Sequence, residues 1–304
     1  MIRVIKPGML TTVQDLGRFG YAHLGLSPAG AADSLSLRIA NLVTGNDADT
    51  PALEMTLLGP TLEFELAATI AISGSRTSLS VPVNEPVEVA AGTQLALGPL
   101  LDGARAYLAV RGGIAVPEVM HSCSTFIPAT MGGFQGRSLQ TGDRLAVGER
   151  KSGVCRKRPQ LNACLDLLSR DRIRVTPSLQ FDWFDQETTG RFCEETFAVT
   201  DDSNRSGLRL MGSPLNPAKR GQLLTEGIAL GAVQVPPDGQ PIILFVDQQT
   251  TGGYAKIANV LAADLPKVGQ LRPREKVRFQ FVTIPEAVKL LREQEQALRL
   301  AFEL

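Results

Sequence analysis

Apolar residues come in short runs along the chain, and each run ends near a glycine or proline. Thr69-Ile70-Ala71-Ile72 precedes Gly74, Ala106 to Val110 precedes Gly112-Gly113, and Ile242 to Val246 makes a similar run in the second half. Such runs, rich in Val, Ile, Leu and Thr and closed by turn residues, predict many short strands joined by tight turns. Helical spacing is rarer. Asp33 is placed to cap a helix through Val43, with Leu35, Ile39 and Leu42 on one face and Gly45 as its stop. Near the end, Thr283-Ile284-Pro285-Glu286 reads as a capping box with proline at the first helical position. Ala287, Leu291, Leu298 and Phe302 follow at helical spacing, which predicts a surface helix packed on a β core.

Between Gly148 and Asp171 the composition shifts to Lys151, Arg156, Lys157, Arg158 and Pro159, followed by a short apolar piece. This predicts a β subdomain over 1–150, a linker over 151–172, and a second β subdomain with a terminal helix over 173–304. Both halves carry a strand that runs into paired glycines, at Tyr107 to Gly113 and at Leu244 to Gly253. The spacing does not stay in phase beyond that. The expected fold class is mostly β: two barrel-like subdomains with a few peripheral helices.

Composition narrows the functions available. Hydrophobic residues make up 43% of the 304 and charged residues 20%, enough for a substantial core. Thirty-one basic residues balance 31 acidic ones, which argues against a general electrostatic grip on nucleic acid or an anionic membrane. The opening MIRVIKPG has no apolar stretch long enough for a secretory signal, and no segment approaches the roughly 20 apolar residues that span a bilayer. Cys123, Cys155, Cys164 and Cys193 show no short paired spacing and read as free thiols of a cytoplasmic protein. With only His23 and His121, a metal centre built on imidazoles is not expected.

Three strings are dense in polar groups. In Pro7 to Tyr21, Gln14, Asp15 and Arg18 bring an amide, a carboxylate and a guanidinium within five residues. They fit either a locally paired turn or the wall of an amide or carboxylate site. In Ser203 to Leu210, Arg205 and Arg209 flank Gly207, as an anion fork or as partners of acids in their own domain. The third string runs from Glu226 through Gln234 and Pro236-Pro237-Asp238-Gly239 to Asp247, Thr250-Thr251-Gly252-Gly253 and Lys256. Pro-Asp-Gly predicts a tight turn. The Thr-Thr-Gly-Gly segment can cradle a phosphate or an oxyanion, with Lys256 as the cation and Asp247 as base or water-orienter. The bland alternative has Asp247 capping a turn and Lys256 solvated. Neither Walker A nor a dinucleotide fingerprint occurs, so any ATP site is atypical or shared with a partner. Ser122 and Ser124 beside Cys123 and His121 do not by adjacency make a triad, and Cys123 reads as a packing residue.

Taken together these strings resemble the carboxyltransferase subdomain A/B family, which includes allophanate-hydrolase-like second subunits, KipI-antagonist proteins and the C subunits of 5-oxoprolinases. The resemblance rests on PGMLTTVQDLGRFGY (7–21), GARAYLAVRGG (103–113), TGD (141–143), the Ser203–Leu210 string and GAVQVPPDGQPIILFVDQQTTGGYAKIA (231–258), and covers essentially the whole chain. It implies two cyclophilin-like β subdomains and two kinds of partner, a KipI-like B subunit and a LamB/YcsF-like A subunit. The implied activity is an ATP-dependent opening of 5-oxo-L-proline to glutamate by the assembled subunits, the isolated chain being inactive. ATP, with magnesium shared with the partners, is the implied co-substrate, and no biotin is attached. Carried over position by position, Gln234, Thr250 and Thr251 orient the amide or phosphoryl group. Lys256 and Arg205 stabilise charge, Asp247 serves as base or water-orienter, and Asp15 with Arg18 builds the site wall. Ala29, Ala32, Ser206 and Leu208 depart from the family pattern, where Ser, Met, Met and Tyr are usual, and leave the substrate open. A carboxyltransferase-like component acting on a urea-type amide, and a KipI-antagonist regulatory protein, are the alternatives.

Overall fold

The computed structural model describes residues 1–149, 172–218 and 223–303, so the expected linker lies, but for Arg172, outside the described residues. The chain is mostly β, as its pattern predicts, and divides into two compact units. One comprises Met1–Arg18 and Ala29–Pro159, the other Phe19–Pro28 and Gln160–Leu304. The linear division at residue 150 did not anticipate that Phe19–Pro28 groups with the second unit.

Among the described residues the first unit holds ten strands: β1 (Ile2–Lys6), β2 (Leu10–Gln14), β3 (Ala52–Thr56), β4 (Leu58–Phe64), β5 (Ala68–Gly74), β6 (Val87–Val89), β7 (Thr93–Pro99), β8 (Arg105–Val110), β9 (Ile114–Ala115) and β10 (Arg144–Val147). They form two five-stranded sheets, β7-β4-β1-β10-β9 and β2-β3-β8-β5-β6. Ile2, Val4, Leu62 and Phe64 of the first sheet pack with Leu53, Met55, Ile72 and Leu108 of the second in one buried cluster. Strand alternation turns Tyr107 and Ala109 of β8 to the opposite face, onto Leu37 and Ala40 of helix α1 (Ser34–Val43). That helix starts where predicted: Asp33 caps it by accepting from the Ser36 N–H at 2.9 Å. Behind it, the Tyr107 hydroxyl donates to Glu54 at 2.7 Å and accepts from the Asp33 N–H at 2.7 Å. The buried carboxylate is thereby satisfied.

The second unit adds β11 (Ile173–Pro177), β12 (Phe197–Val199), β13 (Gly207–Met211), β14 (Glu226–Gly227), β15 (Ala232–Val235), β16 (Ile242–Leu244), β17 (Thr251–Gly252), β18 (Ala255–Val260), β19 (Lys276–Val277) and β20 (Phe279–Phe281). Eight of them make one sheet in the order β19-β12-β13-β16-β15-β18-β11-β20. Its two ends, β19 and β20, are separated in the chain by Arg278 alone, so the sheet wraps back on itself as a barrel. Helix α2 (Gln186–Glu194) inserts Phe192, whose ring stacks on Phe279 at 4.3 Å and meets Phe197 at 6.1 Å. Burial of each such ring contributes about 1.5–3 kcal/mol. A short helix α3 (Leu265–Gln270) follows β18, and α4 (Ile284–Phe302) closes the described chain. Thr283 caps α4 as predicted, but its buried stripe is Gln294, Leu298, Ala301 and Phe302. Ala287 and Leu291 are not part of it, and Gln294 is drawn in by donating to the Ala263 carbonyl at 3.0 Å.

Candidate functional site

The Pro236-Pro237-Asp238-Gly239 turn forms as its residues dictate, with the Gly239 N–H donating to the Pro236 carbonyl at 2.9 Å. It joins β15 to β16, while β15 pairs with β18 so that Gln234 lies opposite Lys256. Thr251–Gly252 does not dangle as a free loop. It pairs with Glu226–Gly227 in a two-stranded ladder of its own. Thr251 and Gly253 remain exposed. Beneath this ladder Lys256 is buried (2% exposed), and its ammonium pairs with the Glu226 carboxylate. Gln180 donates to the same carboxylate oxygen at 2.8 Å. Lys256 is therefore neither solvated nor free to meet an incoming anion without giving up its partner.

The Lys256 ammonium is the main cause holding the Glu226 carboxyl below its ordinary 4.5, with Gln180 adding to it against the opposing effect of burial. A carboxylate held low contributes stability above its unfolded value and loses it as pH falls through the folded one. The melting-temperature difference between the wild type and Glu226→Gln is accordingly expected to shrink between about pH 6 and about pH 3. A difference that stays constant over that range contradicts the pairing.

Arg205 and Asp247 meet each other. Arg205 Nε and Nη2 donate to Asp247 Oδ2 and Oδ1 at 2.8 and 3.0 Å, and both side chains are buried. Each group's charge is thus engaged by the other, which bears on the expected roles of cation for Arg205 and base for Asp247. Arg209, on the exposed face of β13, does not join Arg205 in an anion fork. Just past Asp247, Gln248 donates through Nε2 to the Ile228 carbonyl at 3.2 Å, while its Oε1 is buried without a partner among the described residues. Gln234 is 1% exposed, and its Nε2 is likewise buried and unpartnered among them. Gly252 lies over that atom, and a Cβ there would come within 2.9 Å of it. The next residue, Gly253, lines a cleft of ≈ 410 Å³ with Trp183, Val235, Pro236, Tyr254 and Ala255.

In the first unit, Asp15 is an organising centre. Its carboxylate accepts from the Gly17 N–H (2.8 Å), the Ser122 hydroxyl (2.7 Å), the Cys123 N–H (2.5 Å) and the Ser124 hydroxyl. Arg18, 1% exposed, donates to the Ser124 carbonyl at 2.5 Å. Gln14 donates to Thr12 Oγ1 (3.0 Å) and the Thr125 carbonyl (3.2 Å), leaving Oε1 buried without a partner among the described residues. Asp15 and Arg18 thus brace the Ser122–Thr125 segment. Burial, and after it the Asp15 carboxylate, push the Cys123 thiol up to about 11. Its thiolate fraction at about pH 8 is then on the order of one in a thousand. Iodoacetamide is expected to label Cys123 roughly a hundredfold more slowly than free cysteine, read by mass spectrometry of its peptide; labelling at the free-cysteine rate refutes this environment.

A family model described as carboxyltransferase domain, subdomain A and B, matches residues 24–281. The chain belongs to this carboxyltransferase-domain family. It is 40% identical over 301 residues to the C subunit of 5-oxoprolinase from Escherichia coli (strain K12), covering 97% of this chain and 96% of that protein. The same-named protein of Haemophilus influenzae is 38% identical, again covering 97% and 96%. Among solved structures, the K. lactis urea amidolyase superposes with a TM-score of 0.92 at 35% identity, covering 99% of this chain and 20% of that one.

Within this carboxyltransferase-type chain, the second unit brings Gln234, Lys256, Thr251, Gly252 and Gly253 to one place and joins Arg205 to Asp247. Gln14, Asp15 and Arg18 form a separate cluster in the first unit. Glu226, Gln180, Gln248, Trp183 and Tyr254 were not anticipated as site residues. Their partners lie far away in the chain, although a lone tryptophan in a glycine- and proline-rich sequence was one visible signal. Of the departures from the family pattern, Leu208 is a core residue of β13, and Ala32 gives its N–H to Glu54 at 2.8 Å.

Proposed function

We propose that the chain is one component of an ATP-dependent 5-oxoprolinase assembly that opens 5-oxo-L-proline to L-glutamate. The observation that carries this reading is 40% identity to the C subunit of a 5-oxoprolinase over nearly the full length of both proteins. Resonance deactivates a lactam carbonyl carbon. Transfer of the γ-phosphoryl group to the carbonyl oxygen makes that carbon electrophilic. A first water then adds to that carbon, the C–N bond breaks as the ring nitrogen takes a proton, and a second water hydrolyses the resulting acyl phosphate to the carboxylate and free phosphate. In this chain Gln234 orients the amide, and the Lys256–Glu226 pair supplies a fixed positive end beneath the Thr251–Gly252 strand. ATP is the co-substrate of the assembly. Arg205 and Lys256 are each committed to a carboxylate, so the phosphate-binding cations are assigned to the partners, a KipI-like B subunit and a LamB/YcsF-like A subunit, in the cytoplasm.

The likeness to a urea amidolyase supports a second reading, a carboxyltransferase-like component acting on a urea-type amide with biotin arriving on another protein. Mixing the purified chain with its two partners separates the two. ATP-dependent glutamate release from 5-oxoproline, lost in Lys256→Met and undetectable for the isolated chain, is the expected outcome. Turnover of urea that depends on a biotinylated partner, without glutamate release, overturns the first reading.

A further inference from the structure

The cleft beside Gly253 is held open by the chain's own tethers. Its base is the paired end of β15 and β18, where Val235 faces Ala255 across the ladder and both are buried. Pro236 and Pro237 leave β15 there with φ fixed by their rings. The turn they open is tied to the segment around Asn216, because the Leu215 N–H donates to the Gly239 carbonyl at 2.9 Å. Two residues past Asn216, the Ala218 N–H donates to the Trp183 carbonyl at 2.8 Å. A cleft braced in this way is preformed, as small-molecule sites generally are. Trp183 is the chain's one tryptophan, and Tyr254 is one of its three tyrosines. Neither is spent on the core: at this cleft Trp183 is half-buried and Tyr254 is 47% exposed. Aromatic side chains left at a cleft offer faces on which another flat ring stacks.

Charge narrows the ligand. Among the described residues no Lys, Arg, His, Asp or Glu lines the cleft. Its polar side chains, those of Trp183, Asn216 and Tyr254, are neutral hydrogen-bonding groups. They suit ring nitrogens and exocyclic amines, and they offer nothing to offset a carboxylate or phosphate drawn out of water. 5-Oxoproline carries a carboxylate, and at ≈ 410 Å³ the cleft is far larger than a five-membered ring needs. Of the molecules in the oxoprolinase reaction, the nucleotide alone has a neutral, flat, nitrogen-rich part with its charge at the other end. Resting on the oxoprolinase reading, we infer that this cleft takes the adenosine end of ATP, with the base against Trp183 and Tyr254, and leaves the phosphates outside for the partners' cations. This division accounts for a chain of an ATP-consuming assembly that commits Lys256 and Arg205 to carboxylates: the part of the nucleotide it holds is uncharged.

Because Trp183 is the sole tryptophan, the intrinsic fluorescence of the full-length chain reports on this cleft alone. Excited at the red edge of the indole band, where adenosine is transparent, the chain is titrated with adenosine, ATP, 5-oxoproline and biotin. Adenosine and ATP are expected to change the emission saturably and with similar affinity, and 5-oxoproline and biotin to leave it unchanged. Tyr254→Ala weakens adenosine binding by about tenfold, the scale of one lost base–aromatic stack, and its exposure leaves the fold intact. Trp183→Leu, followed by ligand-observed NMR, weakens it as much. No saturable response to adenosine, an affinity that both variants keep, or 5-oxoproline or biotin saturating the signal in its place overturns the inference. In the reconstituted assembly Tyr254→Ala raises the KM for ATP and leaves that for 5-oxoproline unchanged. Glutamate release with the KM for ATP unchanged in Tyr254→Ala sinks this inference and spares the oxoprolinase reading; adenosine binding at the cleft without glutamate release by the assembly does the reverse.

Discussion

Asp247→Ala is expected to destabilise the second unit by about 3–5 kcal/mol, read as a loss in urea unfolding free energy. The two-pronged contact with Arg205, at 2.8 and 3.0 Å, is buried on both sides. Removing the carboxylate strips a buried guanidinium of its counter-charge, which costs far more than an exposed pair would. The backbone reinforces the contact, because the Asp247 N–H donates to the Arg205 carbonyl at 2.9 Å. Replacing both partners by apolar residues, Arg205→Met with Asp247→Leu, is expected to recover most of the loss, since no lone charge is left behind. Activity in the reconstituted assembly should fall with Asp247→Ala as well, but through displacement of Gln248 and the Thr250–Gly253 segment that follow it. Asp247→Asn separates the roles: a general base loses activity with stability kept, whereas a bracing residue loses the two together. An unfolding free energy unchanged in Asp247→Ala refutes the structural account.

The contrast between the expected role of Asp247 and the partner it meets shows what kind of information the chain carries openly. Features set by neighbours in sequence were legible. Asp33 begins α1, Thr283 begins α4, and Pro-Asp-Gly turns the chain at 237–239. The short apolar runs became strands, and the mostly β class followed from them. The candidate site is suggested as a location in the sequence, because glycines 252 and 253 and the polar residues around them are crowded where a plain strand needs neither. Its wiring is not. Glu226 reaches Lys256 across 30 positions, Gln180 reaches Glu226 across 46, and Arg205 reaches Asp247 across 42. Any acid in the chain is an equal candidate partner until the barrel is closed, and barrel closure depends on β19 and β20 falling at opposite ends of one strand order. The exchange of Phe19–Pro28 into the second unit is hidden for the same reason: contact, not composition, decides it.

Asp15 poses the same question in the first unit, and there the expected loss is of similar size. Asp15→Ala leaves the Cys123 N–H and the Ser122 and Ser124 hydroxyls without the acceptor they share across 107 to 109 positions of sequence. A buried donor left unpaired costs about 1–3 kcal/mol. Three of them, with some relaxation, bring the expected destabilisation to about 3–5 kcal/mol. Asp15→Asn should fall between the two, because an amide oxygen still serves the hydroxyls while its NH₂ turns a donor toward the Cys123 N–H. The thiol supplies an independent readout. The Asp15 charge is, after burial, the next cause that raises Cys123, so Asp15→Asn is expected to speed iodoacetamide labelling at Cys123 while the protein stays folded. Arg18→Met tests the same brace from the other side, since its donation to the Ser124 carbonyl holds the segment that Asp15 gathers. If Asp15 were only a wall of a binding site, Asp15→Ala would leave both the unfolding free energy and the Cys123 labelling rate unchanged.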